Sequence, residues 1–336
     1  MNTKPQNRDD AALGCFLGAC VGDAAGAVLE FIGHKPSETE VEHALTMPGG
    51  GALSVAPGQI TDDSELALCL ARALANSPTF NLEKIAQNYA KWVESNPFDM
   101  GGTTRNSLGC FLDYEWQTVC QQQGYAVGMT QAAQKRCMTS KANGSLMRAA
   151  PLGIWGHRFD DNELAYFAEQ DSSLSHPNES CRQAVACYVI AISSLINQPG
   201  ERKTAFERAK QWADAHANAE VNQWLQEAEN NSNIPYYPQT GFIKIAFVHA
   251  FRHLVLETNY IDAIKETLAG GGDTDTNACI VGGLIGAACG AEHIPNAMKH
   301  AVLDCNSKLG RYRPFFLHAT QVPELTQQLL SFDIPS

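Results

Sequence analysis

The chain has 336 residues, 44% of them hydrophobic, which is enough for one large domain or two with a substantial core. A net charge of −12 with no block of basic residues excludes the electrostatic footprint of a nucleic-acid binder. The eleven cysteines are an odd number and form no Cys-x-x-Cys pair, which argues against a disulfide framework or zinc knuckle and for a reducing cytoplasm.

In chain order, residues 1–10 read as a polar N-terminal extension and residues 11–336 as one domain. Lys4 and Arg8 precede an apolar stretch that ends in Ala24-Ala25-Gly26-Ala27, a pattern that imitates a secretion signal. Asp9 and Asp10 stand where such a signal needs positive charge, and the stretch continues as a plausible helix. Within it Gly14, Gly18 and Gly22 recur every four residues, a spacing that permits close helix packing. No run is long and apolar enough to span a bilayer, so no membrane partner is expected. Helical spacing of apolar residues or strong helix formers predicts helices over 64–75, 82–94, 163–169, 179–197, 202–229, 242–258, 260–269, 277–290, 294–303 and 324–331. Gly-, Pro- and Asn-rich breaks fall at 48–57, 96–104, 140–144, 172–178, 230–241 and 270–276. Strand alternation is nearly missing. The expected fold is therefore all-α: a single compact multi-helix domain with functional loops.

Two acidic clusters carry the chemistry. Thr61-Asp62-Asp63 opens one apolar helical run, and Asp273-Thr274-Asp275-Thr276 opens another some 210 residues later. A helix N-terminus repels cations, so a metal can sit there only where several carboxylates outweigh the dipole. Four aspartates carry a formal charge of −4, which matches two divalent ions, and all-oxygen ligands suit hard cations. The competing reading is helix capping, since Thr and Asp are preferred N-caps. What capping does not require is Gly270-Gly271-Gly272 ahead of the second cluster, where positive φ would let the backbone approach a ligand. Two loops and two single residues add candidates. Asp99 precedes Gly101-Gly102-Thr103-Thr104, which could also be an ordinary turn. Ser140 to Arg148, with Asn143-Gly144-Ser145, is a small-residue loop suited to presenting N–H groups to phosphate. Glu30 and His176 are single polar residues that carry little weight alone.

Taken together, the order and spacing of these segments resemble the ADP-ribosylglycohydrolase family, which includes the dinitrogenase reductase-activating glycohydrolases. The matching pieces run from Gly14-Cys15-Phe16-Leu17-Gly18 through Gly22-Asp23-Ala24-Ala25-Gly26 to Glu30, then Thr61-Asp62-Asp63 and Asp99 with Gly102-Thr103-Thr104. They continue with Asn143 to Pro151, Ser175-His176, Thr240-Gly241-Phe242 and Gly270 to Asn277, so the likeness covers roughly residues 11–310. The resemblance implies an all-α fold around a dinuclear site for two divalent cations, Mg2+ or Mn2+. Thr61, Asp62, Asp63, Asp273, Asp275 and Thr276 would be the metal ligands. Glu30, Asp63 and Asp99 would be the catalytic acids, with Asp99 near the scissile bond as in arginine-directed members. Ser140, Asn143, Gly144, Ser145 and His176 would hold the diphosphate, ribose and nucleotide. The implied activity is removal of ADP-ribose from modified protein side chains, arginine above all, by a cytoplasmic monomer reversing a regulatory or toxin-borne modification. The alternatives are a hydrolase of serine-linked or free ADP-ribose derivatives, and a non-catalytic immunity or structural relative. In the immunity case an ADP-ribosylating toxin would be the partner, engaged through residues 1–10.

Overall fold

The computed structural model describes residues 7–331. Among the described residues there are seventeen α-helices joined by short turns and 3-10 segments, with no strand beyond two isolated bridges, Gly50–Val55 and Ala142–Phe242. The all-α expectation holds, and the helices share one continuous core.

At the centre lie three helices, Arg8–Gly26, Glu179–Asn197 and Thr274–Cys289. Every residue of Thr274–Cys289 is buried, as expected of a helix apolar on all sides. It runs antiparallel to Arg8–Gly26 at a separation that only glycine allows. A Cβ on Gly14, Gly18, Gly22 or Gly26 would lie 2.3, 2.5, 2.0 or 2.3 Å from the carbonyl oxygens of Gly286, Gly282, Ala278 and Thr274. The partner helix contributes Gly282 and Gly286, whose Cβ atoms would meet the Gly18 and Gly14 carbonyls at 2.3 and 2.0 Å. The four-residue glycine spacing is thus a packing seam, and it continues to Gly26. Its last step sets the start of Thr274–Cys289 against the end of Arg8–Gly26, so residues 23–30 and 273–276 share one end of the molecule.

Several element boundaries differ from expectation for local reasons. The first helix begins at Arg8, because Asn7 caps it by accepting the Asp10 N–H. Residues 8–10 therefore join the fold, and residues 1–6 of the expected extension lie outside the described residues. Residues 11–26, the stretch that imitates a secretion signal, are core: all but Leu13 are buried. The run 202–229 is two helices, Arg202–His216 and Ala219–Glu229, divided where the Asn218 side chain caps the second by accepting the Val221 N–H. Short helices at Glu38–Leu45, Gly102–Leu108, Tyr114–Gln123, Tyr125–Arg136 and Ala150–Trp155 were not expected from periodicity. Glu38–Leu45 did carry a capping box, Ser37 with Glu40. All eleven cysteines are free, and all but Cys305 are buried.

Candidate active site

The two acidic helix starts meet, and neither is a cap. Thr61 precedes the helix Asp62–Leu74 and Asp273 precedes Thr274–Cys289, yet neither side chain makes a capping hydrogen bond. Asn7, Asn81, Asp160 and Asn259 do cap their helices. For Asp62–Leu74 the capping is done from outside, by Asp23 on the first helix. Its carboxylate accepts the Thr61 N–H (3.0 Å), the Ser64 N–H (3.1 Å) and the Thr61 hydroxyl (2.8 Å). The Thr61 hydroxyl also lies 3.0 Å from Asp63 Oδ2, so one proton is shared between two carboxylates.

Glu30 is anchored to the other helix start: its Oε2 accepts the Thr274 N–H at 2.8 Å and the Thr274 hydroxyl at 3.0 Å. Glu30, Asp273 and Asp275 each place a carboxylate oxygen within 4.8 Å of the others. Asp62 and Asp63 face this trio closely enough that the charge of Asp273 raises the pKa of both. Burial first, and then mutual repulsion, pushes Asp62, Asp63 and Asp275 well above the ordinary carboxylate range. Burial together with Asp273 raises Glu30 to about 7. Burial likewise lifts Asp23, to about 6, and Asp99.

So many buried acids without matching bases lack a counter-charge. Arg313, a buried cation bonded to the Asp62 helix, is already engaged: it forks onto Glu65 at 2.7 and 2.9 Å and donates to the Ser95 and Asn96 carbonyls. That strut ties the Asp62 helix to the loop carrying Asp99. Asp63 Oδ1 is buried with no hydrogen-bond partner, as a metal ligand would be before its ion is counted. The donor set of carboxylates and hydroxyls therefore fits hard divalent cations.

The opposite wall is built of hydrogen-bond donors. The 140–144 loop is fixed by Ala142 pairing with Phe242, by Asn143 N–H to the Gly241 carbonyl (3.1 Å), and by Ile243 N–H to the Lys141 carbonyl (2.9 Å). Asn143 Nδ2 donates to Asp273 Oδ2 at 2.8 Å, joining the two walls. Between them a cleft with about 720 Å³ of empty space, part of it open to solvent, is lined by Glu30, Asp62, Asp99, Asn143, Gly144, His176, Asp273, Asp275 and Thr276. Gly271 and Gly272 take φ of +74° and +78°, as the triple glycine suggested.

Not every candidate reaches the cleft. Thr61 and Asp63 lie beneath its floor, with Thr61 engaged by Asp23. Ser140 Oγ is paired with Thr103 Oγ1 (2.8 Å), and Ser145 Oγ turns into the core to Ser172 Oγ (2.9 Å). The sequence motifs assign Asp23 no role of its own. Its signal was a single acid inside an otherwise apolar, small-residue helix.

The sequence matches the ADP-ribosylglycohydrolase family over residues 4–330, so the chain belongs to that family. It is 30% identical over 292 residues to the ADP-ribosyl-[dinitrogen reductase] glycohydrolase of Rhodospirillum rubrum, covering 85% of this chain and 88% of that one. It is 25% identical over 331 residues to an ADP-ribosylarginine hydrolase of Pseudomonas putida, covering 96% and 82%. Among solved structures, an ADP-ribosylglycohydrolase-related protein complex shares the fold with a TM-score of 0.73 at 21% identity, over 97% of this chain and 98% of that one. No helix among the described residues is long and apolar enough to cross a membrane.

Proposed function

We propose that this chain is a metal-dependent hydrolase that releases ADP-ribose from modified protein side chains, and that the side chain is arginine. The observation that carries this reading is the cleft itself, with buried uncompensated acids on one wall and a donor-rich loop on the other. The names of the Rhodospirillum and Pseudomonas relatives support a protein-linked ADP-ribose substrate.

Thr61, Asp62, Asp63, Asp273, Asp275 and Thr276 are the proposed ligands of two divalent cations, Mg2+ or Mn2+, with Glu30 beside them. Bound there, such ions would polarise oxygens of the ribose or water and lower the water's pKa. Asn143, Gly144 and the main chain at Ser145 would orient the diphosphate and ribose, with His176 on the nucleotide; the Ser140 and Ser145 hydroxyls are engaged elsewhere. Cleavage of the N-glycosidic bond develops positive charge on the ribose, and the carboxylates around it stabilise that charge. Asp99 is partly exposed at the cleft, and its pKa is raised by burial. In this reading it takes the proton of the attacking water and, while ionised, attracts a cationic arginine side chain.

The test compares arginine-linked with serine-linked ADP-ribose, using wild type and Asp99→Asn at one magnesium concentration. Faster arginine hydrolysis, and a loss of about 100-fold or more in the variant with ADP-ribose affinity nearly kept, are expected. Preference for serine, or an unimpaired variant, would overturn the leaving-group assignment.

A further inference from the structure

Behind the donor wall runs a chain of fully buried groups, Asp171, Arg148, Ser175 and His176, none more than 1% exposed. Asp171 accepts Arg148 Nε at 3.1 Å through Oδ2 and the Tyr89 hydroxyl at 2.7 Å through Oδ1, and its carbonyl accepts Arg148 Nη2 at 2.9 Å. Arg148 Nη1 then donates twice, to the Gly144 carbonyl at 3.1 Å and to Ser175 Oγ at 2.8 Å.

A guanidinium has donors and no acceptor, so Ser175 Oγ must accept from Arg148. Its own proton is left for His176 Nδ1, 2.8 Å away. The other tautomer, with the proton on Nδ1, would strand that buried hydroxyl proton without an acceptor. A cationic ring is disfavoured too: burial and the Arg148 charge hold the His176 pKa down to about 3. With Nδ1 accepting, a neutral ring carries its proton on Nε2. That edge lies at the cleft wall, where a Cβ on Gly144 would sit 2.9 Å from Cε1 and 3.1 Å from Nε2.

We infer that Ser175 is a positioning residue: its hydroxyl, oriented by Arg148, fixes His176 as the Nε2–H tautomer and so presents the ring to the cleft as a neutral hydrogen-bond donor. The acceptor it suits is a phosphate or hydroxyl oxygen, which in this cleft rests on the reading of ADP-ribose as ligand. The same guanidinium holds the Gly144 carbonyl, so one buried cation sets both the histidine and the 144–145 peptide.

The experiment is 15N NMR of histidine-labelled protein, with His176 assigned by its loss in His176→Gln, combined with calorimetry of ADP-ribose binding. Wild type should show Nε2 protonated and Nδ1 bare and accepting from pH 5 to 8. Ser175→Ala should give a mixture of tautomers and weaken ADP-ribose binding about tenfold, and Ser175→Thr should restore both. A wild-type proton on Nδ1, a cationic ring at pH 7, or Ser175→Ala with unchanged tautomer and affinity would overturn the assignment. The expected tautomer in a protein that binds no ADP-ribose would refute the functional reading alone and still support the tautomer.

Discussion

At the scale of single residues, the site is a collection of acids that destabilise one another. Raised folded-state pKa values mean that the folded protein holds protons the unfolded chain has lost, so their stabilising contribution is complete near pH 4 and is lost as pH rises through about 6 to 7 for Asp23 and Glu30. The buried histidines His176, His249 and His253 act oppositely: burial lowers them to about 3, 4 and 4 in the folded state while the unfolded chain protonates them near 6.5, so their contribution grows with pH and is complete by about pH 7.5. Above that the strongly raised Asp62, Asp63 and Asp275 decide the slope. Metal-free protein is therefore expected to melt at a lower temperature at pH 8.5 than at pH 7.5, and magnesium or manganese should raise the melting temperature more at pH 8.5. Scanning calorimetry with and without chelator checks this, and a flat or rising metal-free curve would contradict it. The same repulsion makes Asp275→Asn a trade of function for stability. It should melt roughly 2–4 °C higher without metal, on the order of 1 kcal/mol, and hydrolyse nothing measurable.

At the scale of elements, the glycine seam and Asp23 bring the two acidic helix starts together. Gly22→Ala would force a Cβ to 2.0 Å from the Ala278 carbonyl, which cannot yield without separating two central helices. Destabilisation of about 2–4 kcal/mol is expected from such overpacking, with weakened cation binding because Asp275 rides on the displaced helix. Denaturant unfolding together with metal titration would show both effects; a variant as stable as wild type would remove the seam from the account. Asp23→Ala should cost about 2–3 kcal/mol, since it strands the buried Thr61 and Ser64 N–H groups. Much of this was legible in the sequence. The glycine spacing, the acids at helix starts and the triple glycine all carry local signals that the structure bears out. What was not legible depends on distant partners. Glu65 and Arg313 are 248 residues apart, and Asp23 caps a helix 38 residues away. The break at Asn218 lay inside a run of strong helix formers, where a single capping side chain outweighed propensity.

At the scale of the whole molecule, one all-α domain places its charge asymmetrically: acids gather at one end of the central helices, and the donor loop closes over them. Placing Ser140 and Ser145 among the ligand contacts depended on side-chain direction, which the sequence does not carry. Their hydroxyls are spent on Thr103 and Ser172. The acidic wall, by contrast, followed from charge alone, because so many carboxylates without bases call for a cation wherever they converge. The measurement that bears most directly on this account is ADP-ribose release from arginine-modified protein by metal-stripped enzyme, titrated with magnesium or manganese. Activity should be absent in chelator and return in step with the binding of about two divalent ions per chain, and Asp62→Ala and Asp275→Ala should abolish it with the helical fold retained. Full activity in chelator, from protein that elemental analysis shows to hold no metal, would contradict the account.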